Sequence, residues 1–265
     1  MGQLFRPNSN NLARASVLSL AIFPWIAFYA GSTITRSPAN TKAEVPVNQP
    51  VPFSHRHHAY ELGIDCRYCH VSVERTAMAS IPPTETCMSC HSQIWTNSPL
   101  LEPIRRSYET NTPIQWNDAD NVESGRGMFG WTKVNKVPEF VYFNHSIHIA
   151  RGLNCDQCHG PVQQMTLTWK GQAFAMAWCL DCHKEPENYL YRDPDPKYKD
   201  LTPQDEAMLP FYKLEQGLPL TPRQQSLLDG DQYVGAGDEV ADGEQLVKQL
   251  GVKKNELTDC WICHR

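Results

Sequence analysis

A fold of short α-helices and irregular loops, behind one N-terminal helix of membrane length, is predicted by three features of this sequence. All ten cysteines fall in five copies of one short motif. Twenty prolines and fifteen glycines break up short apolar runs across 265 residues, which argues against long regular elements. From Ala15 to Thr35 no residue is charged, and Arg14 and Arg36 bracket that stretch.

The repeated motif is Cys-x-x-Cys-His. Its copies are Cys66–Cys69–His70, Cys87–Cys90–His91, Cys155–Cys158–His159, Cys179–Cys182–His183 and Cys260–Cys263–His264. Cys-x-x-Cys is also a zinc half-site, but zinc sites do not require the adjacent imidazole. Histidine is 10 of 265 residues. A following His at all five pairs by chance has a probability on the order of 10⁻⁷, so the motif reads as c-type haem attachment. Two thiols form thioethers with the haem, and the imidazole becomes the proximal iron ligand. Five covalent haems are expected, with proximal ligands His70, His91, His159, His183 and His264. No cysteine is left over for a structural disulfide.

Five histidines lie outside the motifs: His55, His57, His58, His145 and His148. Phe53-Ser-His55-Arg-His57-His58 and Phe143-Asn-His145-Ser-Ile-His148 both read F-x-H-x-x-H, and each precedes two attachment motifs. This is an internal duplication. Residues i and i+3 share a helical face, so one histidine of each pair can serve one haem and the other its neighbour. The expected distal ligands are therefore His55, His58, His145 and His148. His57 has Ile147 as its counterpart and reads as a spare surface histidine. The fifth haem then takes a thioether or His57; Met78, Met128, Met165, Met176 and Met208 are the candidate thioethers, and Met/His ligation would raise its potential. No Cys-x-x-Cys-Lys site occurs, so a wire is expected rather than a haem catalyst.

The uncharged stretch is roughly 31 Å long as a helix, enough to cross the hydrocarbon core. It is longer than an ordinary signal h-region, so an uncleaved anchor is expected over residues 1–36. Pro24 is tolerable there. Haem is attached outside the bacterial cytoplasmic membrane, so residues 36–265 are expected in the periplasm. The stretch holds no Asp, Glu, His, Lys or Arg for quinol chemistry, so the chain alone is not expected to oxidise quinol.

Residues 37–52 read as a Pro-rich tether, 53–91 as a first dihaem module, and 138–183 as a second, opened by a strand-like run Phe140–Phe143. Residues 92–137 connect them; Trp95, Ile104, Trp116, Phe129 and Trp131 make this connection too apolar for a disordered linker. Residues 184–265 carry the fifth haem. They hold 16 Asp/Glu against 10 Lys/Arg, which reads as a solvated face, with one helical pattern at 239–250. Net charge is −5, which leaves no nucleic-acid footprint.

The stretches F-S-H-R-H-H…C-R-Y-C-H…I-P-P-T-E-T-C-M-S-C-H, V-Y-F-N-H-S-I-H-I-A-R-G-L-N-C-D-Q-C-H-G-P-V-Q-Q-M, M-A-W-C-L-D-C-H and L-T-D-C-W-I-C-H resemble class III-like haem modules. Together with the anchor they resemble the ActA family, the membrane-anchored pentahaem cytochrome c subunits of bacterial alternative complex III. The resemblance covers about 15–35, 53–91, 131–190 and 257–264. It implies a large quinol-oxidising assembly with an iron–sulfur subunit of molybdopterin-oxidoreductase type, polytopic quinol-binding membrane subunits and a monohaem cytochrome c. Electrons would pass to a cytochrome c or a terminal oxidase. The competing expectation is a standalone quinol dehydrogenase of the NapC/NrfH type, with a similar layout but usually four haems and its own quinol pocket.

Overall fold

The structure is a computed structural model and describes residues 8–114, 130–231 and 233–264. The chain divides into two compact units, 1–43 and 44–265. In the first, one helix spans Ser9–Arg36 and a short turn of helix follows at Pro38–Thr41. The long helix has no buried residue; Leu20, Trp25 and Phe28 are all about three-quarters exposed. It is long and apolar enough to cross a membrane and fits a single-pass anchor. Ser16, Ser19, Thr33 and Thr35 donate their hydroxyl protons to carbonyls three or four residues back, which satisfies them without solvent.

The second unit is helical. Helices cover Cys66–Cys69, Thr84–His91, Glu102–Thr110, His145–Ile149, Cys155–His159, Met176–Lys184, Pro203–Glu215, Pro222–Asp229, Asp238–Gln249 and Cys260–Cys263. A π-turn spans Arg56–Glu61. Among the described residues there is no strand; isolated bridges join Pro46 with Trp169 and Val141 with His264. The strand-like Phe140–Phe143 run thus makes a single bridge. It meets the last motif rather than a second strand, so no ladder propagates.

Short helices this close together need local start signals, and the sequence supplies them. Asp65, Asn144 and Asn154 accept backbone N–H bonds at the starts of the Cys66, His145 and Cys155 helices. Thr221 and Gln224 form a reciprocal capping box. Pro203 and Pro222 sit in first turns, where their missing N–H costs nothing.

The described part of the connecting segment packs. Leu101, Ile104 and Ile114 join Val51 in a buried cluster, with Trp131, Cys87 and Met88 against it. Trp95 departs from the expectation: it is 62% exposed, held at a positive φ beside the second motif. Trp116, Phe129 and Met128 lie outside the described residues.

The acidic last segment also departs from a solvated face. Pro203–Glu215 and Pro222–Asp229 bury Met208, Leu209, Leu227 and Leu228. Around them Lys213 donates to Asp193 at 2.5 Å, Gln224 to the same carboxylate at 2.7 Å, and the Asp193 N–H to Glu206 at 2.5 Å. A charged residue enters an interior when a partner neutralises it. These partners lie far apart in sequence, so net charge alone could not reveal them.

Candidate haem-binding site

The five motifs, numbered 1 to 5 in chain order, lie on helices. No cysteine is in a disulfide; Cys90 and Cys260 are exposed and the other eight partly buried. The two F-x-H-x-x-H segments adopt the same geometry. Phe53 meets His55 edge-on at 4.9 Å and stacks on His58 at 4.4 Å. Phe143 meets His145 edge-on at 4.8 Å and stacks on His148 at 4.4 Å. The phenyl ring is the post that splays the two imidazoles.

Those imidazoles face motif histidines. Ring centres are 6.2 Å apart for His58 and His91, for His145 and His159, and for His148 and His183. A nitrogen ligand sits about 2 Å from its metal, and the ring centre is roughly 1 Å further, so two imidazoles flanking one metal stand about 6 Å apart. The last two pairs are also nearly parallel, at 5° and 21°. His55 lies near His70, which adds to burial in holding the His55 pKa at about 4. Burial likewise lowers His159 to about 4, with His145, His70 and His55 adding to it. His58, His145 and His148 are lowered by burial too. Neutral imidazole is the form that binds a metal.

The ring tautomer is set by the second nitrogen. Nδ1 of His58, His70, His91, His145, His148 and His183 faces the carbonyls of Ser54, Ser80, Ile94, Ala77, Asn144 and Leu257, at 2.7–3.2 Å. A carbonyl only accepts, so Nδ1 carries the proton and Nε2 keeps its lone pair. Nδ1 of His55 meets the Thr168 hydroxyl at 3.0 Å. Nδ1 of His159 meets the Asn135 amide nitrogen at 2.9 Å while Asn135 Oδ1 is buried without a partner. Turning the amide over puts Oδ1 on Nδ1–H and satisfies both groups. The paired imidazoles and free Nε2 atoms fit haem c.

Two of these supports cross between segments: Thr168 of the second haem-bearing stretch holds His55 of the first, and Ala77 of the first holds His145 of the second. Asn135 comes from the connecting segment. Sequence reading missed all three, because a hydroxyl, a carbonyl and an amide carry no motif.

His57 stands apart. It is bonded through Nδ1 to Glu61 at 2.9 Å and lies parallel to Trp95 at 6.3 Å. Among the described residues no imidazole faces His264, which stacks on Phe140 at 5.8 Å. Met165 and Met208 are buried, and Met165 Sδ accepts the Trp169 N–H. Met78 and Met176 are each 63% exposed.

Burial and neighbouring thiols raise the cysteines. Cys155 and burial push the Cys66 thiol well up. Cys69 is raised by burial and by Cys66 and Cys90. Cys158 and Cys182 are each pushed by burial to about 12, with Cys182 and Cys179 near the first and Asp181 and Cys179 near the second. Cys179 is raised by burial and by Cys263.

Residues 141–206 match the family described as cytochrome c7 and related cytochrome c. The chain is also 32% identical over 111 residues to a protein of Nitratidesulfovibrio vulgaris named menaquinone reductase, multiheme cytochrome c subunit. That match covers 42% of this chain and 45% of the relative, so it spans less than half of that protein. The chain is helical among its described residues, with a cytochrome c7-like domain at 141–206 and a membrane-anchor candidate at Ser9–Arg36.

Proposed function

We propose that this chain is the pentahaem electron-relay subunit of a membrane-bound, quinone-linked respiratory complex of the alternative complex III type. The observation that carries it is the trio of imidazole pairs at 6.2 Å built by two duplicated F-x-H-x-x-H segments. All five motifs attach haem through Cys66/Cys69, Cys87/Cys90, Cys155/Cys158, Cys179/Cys182 and Cys260/Cys263. His70, His91, His159, His183 and His264 are the proximal ligands. His58, His145 and His148 are distal ligands to sites 2, 3 and 4, and His55, beside His70 and matching His145 in the repeat, is distal to site 1.

The haems supply reversible one-electron chemistry. The protein's part is to hold the imidazoles neutral, fix their planes through Nδ1 and exclude water around them. Phe53 and Phe143 set the angle between paired ligands. Burial of His55 and His159 disfavours the protonated ring that would leave the metal. The Ser9–Arg36 helix anchors the chain with residues 36–265 in the periplasm.

The anchor has no Asp, Glu, His, Lys or Arg from 15 to 35, so quinone chemistry falls to partner subunits: polytopic membrane proteins, an iron–sulfur subunit and a monohaem cytochrome c, with a soluble cytochrome or terminal oxidase beyond. The relative is named as one subunit of a larger enzyme, which favours this reading over a self-sufficient NapC/NrfH-type dehydrogenase. Its name also favours a second reading, in which electrons run toward menaquinone rather than away from a quinol.

The test is the native mass and subunit content of the haem-stained band after mild detergent extraction, followed by assay in both directions. A large band with iron–sulfur and polytopic subunits that reduces cytochrome c with a quinol analogue is the expected result. Net reduction of a menaquinone analogue by reduced cytochrome selects the second reading. A lone anchored cytochrome that oxidises quinol unaided overturns both.

A further inference from the structure

We infer that the five attachment sites stand in space in the order 2–1–3–4–5, so that sites 2 and 5 are the ends of the relay and sites 1 and 3 meet at its centre. The inference rests on the proposal that all five motifs carry haem.

The order follows from four junctions. Site 2 joins site 1: Tyr68 inside motif 1 is bonded to Ser89 inside motif 2 at 3.2 Å. Site 1 joins site 3, although 89 residues separate Cys66 from Cys155 in the chain. The exchange of supports falls at the same place. His55 is held by Thr168, while His145 is held by Ala77 through its ring and its backbone N–H, and Ser146 N–H donates to Thr76. The two duplicated halves therefore clasp each other reciprocally, with their first sites face to face. Site 3 joins site 4: His145 and His148 stand on one short helix and face His159 of motif 3 and His183 of motif 4, each at 6.2 Å. Site 4 joins site 5: His183 of site 4 is held by the Leu257 carbonyl just before motif 5.

Exposure supports the same ends independently. Cys90 and Cys260, the two exposed cysteines, belong to sites 2 and 5, and Trp261 inside motif 5 is 85% exposed. A donor and an acceptor of electrons need surface access, and the ends provide it. Chain order would have made site 1 an end; this arrangement puts it inside.

Haem content is measured first: five per chain by intact mass and pyridine haemochrome. Fewer than five removes the underlying reading without touching the order of the remaining sites. The order is then read from iron positions in a structure of the haem-loaded protein. Irons of sites 1 and 3 as nearest neighbours, with sites 2 and 5 farthest apart, is expected; a run 1–2–3–4–5, or site 2 between 1 and 3, overturns it.

A kinetic test uses the fact that every native cysteine is consumed by haem. Trp261→Cys then supplies a single free thiol for a ruthenium photoreductant, which injects one electron at site 5. In the Cys87→Ala/Cys90→Ala background, which lacks site 2, the electron equilibrates over four haems as fast as in the parent. In the Cys155→Ala/Cys158→Ala background it stops at sites 4 and 5. Equal equilibration in both backgrounds overturns the order. If the second background misfolds, the iron positions decide.

Discussion

The haem-bearing stretches and the segment that follows them keep their order by different means. Residues 53–91 contribute no buried apolar side chain, and 138–183 contribute only Ile149 and Met165. The following segment buries Tyr189, Leu190, Tyr198, Ala207, Met208, Leu209, Leu227, Leu228 and Leu246. Hydrophobic burial is the main drive for folding, so a region that buries little of its own must gain stability from what it binds. The last segment is a conventional small core, and the haem stretches are frames for large apolar ligands.

The harshest break of this contrast is to withhold haem. A chain produced without the attachment machinery should lose protection across residues 53–91 and 138–183, while 186–249 stays protected. Amide hydrogen exchange resolves the two. Protection lost equally in both would mean that the last segment has no independent core.

Next in size is the buried ion pair of the last segment. Lys213→Met leaves Asp193 charged and 5% exposed, which costs about 3–5 kcal/mol. Denaturant unfolding should show that loss while the haem spectrum of the folded protein stays unchanged. An altered Soret band would mean that the segment supports a haem directly.

Two glycines sharpen the comparison. A Cβ on Gly171 would collide with the His159 carbonyl, and one on Gly243 with the Glu187 carbonyl. Each alanine substitution should cost about 1–3 kcal/mol by overpacking. Gly171→Ala should also perturb the spectrum of site 3, because it pushes on a proximal-ligand peptide. Gly243→Ala should leave every haem signal in place.

What sequence could reveal differs between the same regions. The Cys-x-x-Cys-His copies and the F-x-H-x-x-H pairs were legible because covalent attachment and axial ligation demand fixed residue types at fixed spacing. The pairing of His58 with His91 and His148 with His183 follows the repeat. Asn135, Thr168 and Ala77 were not legible, since a second-nitrogen partner can be any acceptor from anywhere in the chain. The Pro203–Glu215 helix was missed for a related reason: its buried Glu206 and Lys213 read as surface charges until Asp193 arrives from another loop. The Asp238–Gln249 helix, with its apolar residues on one face, was legible.

Each region also has a buried aspartate, and the two are treated oppositely. Asp193 is paired with Lys213 and Gln224. Asp156, within motif 3, is 3% exposed and has no cation beside it among the described residues, only the neutral groups of Gln163 and the Val162 backbone. Burial pushes its pKa well above the usual carboxylate value. For a carboxyl raised in the folded state, the contribution to stability is full below the unfolded pKa and is lost as pH rises toward the folded one. Asp156→Asn should therefore raise the melting temperature at pH 7, with the gain shrinking toward pH 4. Asp193→Asn should lower it at pH 7. Calorimetry at both pH values checks the pair, and a destabilised Asp156→Asn at neutral pH would mean that the charge has an unseen partner.

The smallest effect comes from the reciprocal clasp between the two haem stretches. Thr168→Val removes the oxygen on Nδ1 of His55 and keeps the side-chain volume. An Nδ1–H that donates makes its imidazole a stronger ligand to the oxidised metal. Loss of the acceptor should raise the potential of one haem, leave the others in place and alter a single set of low-spin EPR signals. Thr168→Ser, which restores the oxygen, should return both to the parent values. The mirror position is protected against such a change, because His145 is held by the backbone carbonyl of Ala77. Ala77→Val should leave all potentials unmoved. If Thr168→Val is equally silent, Phe53 and burial alone orient His55, and the hydroxyl is incidental to the site.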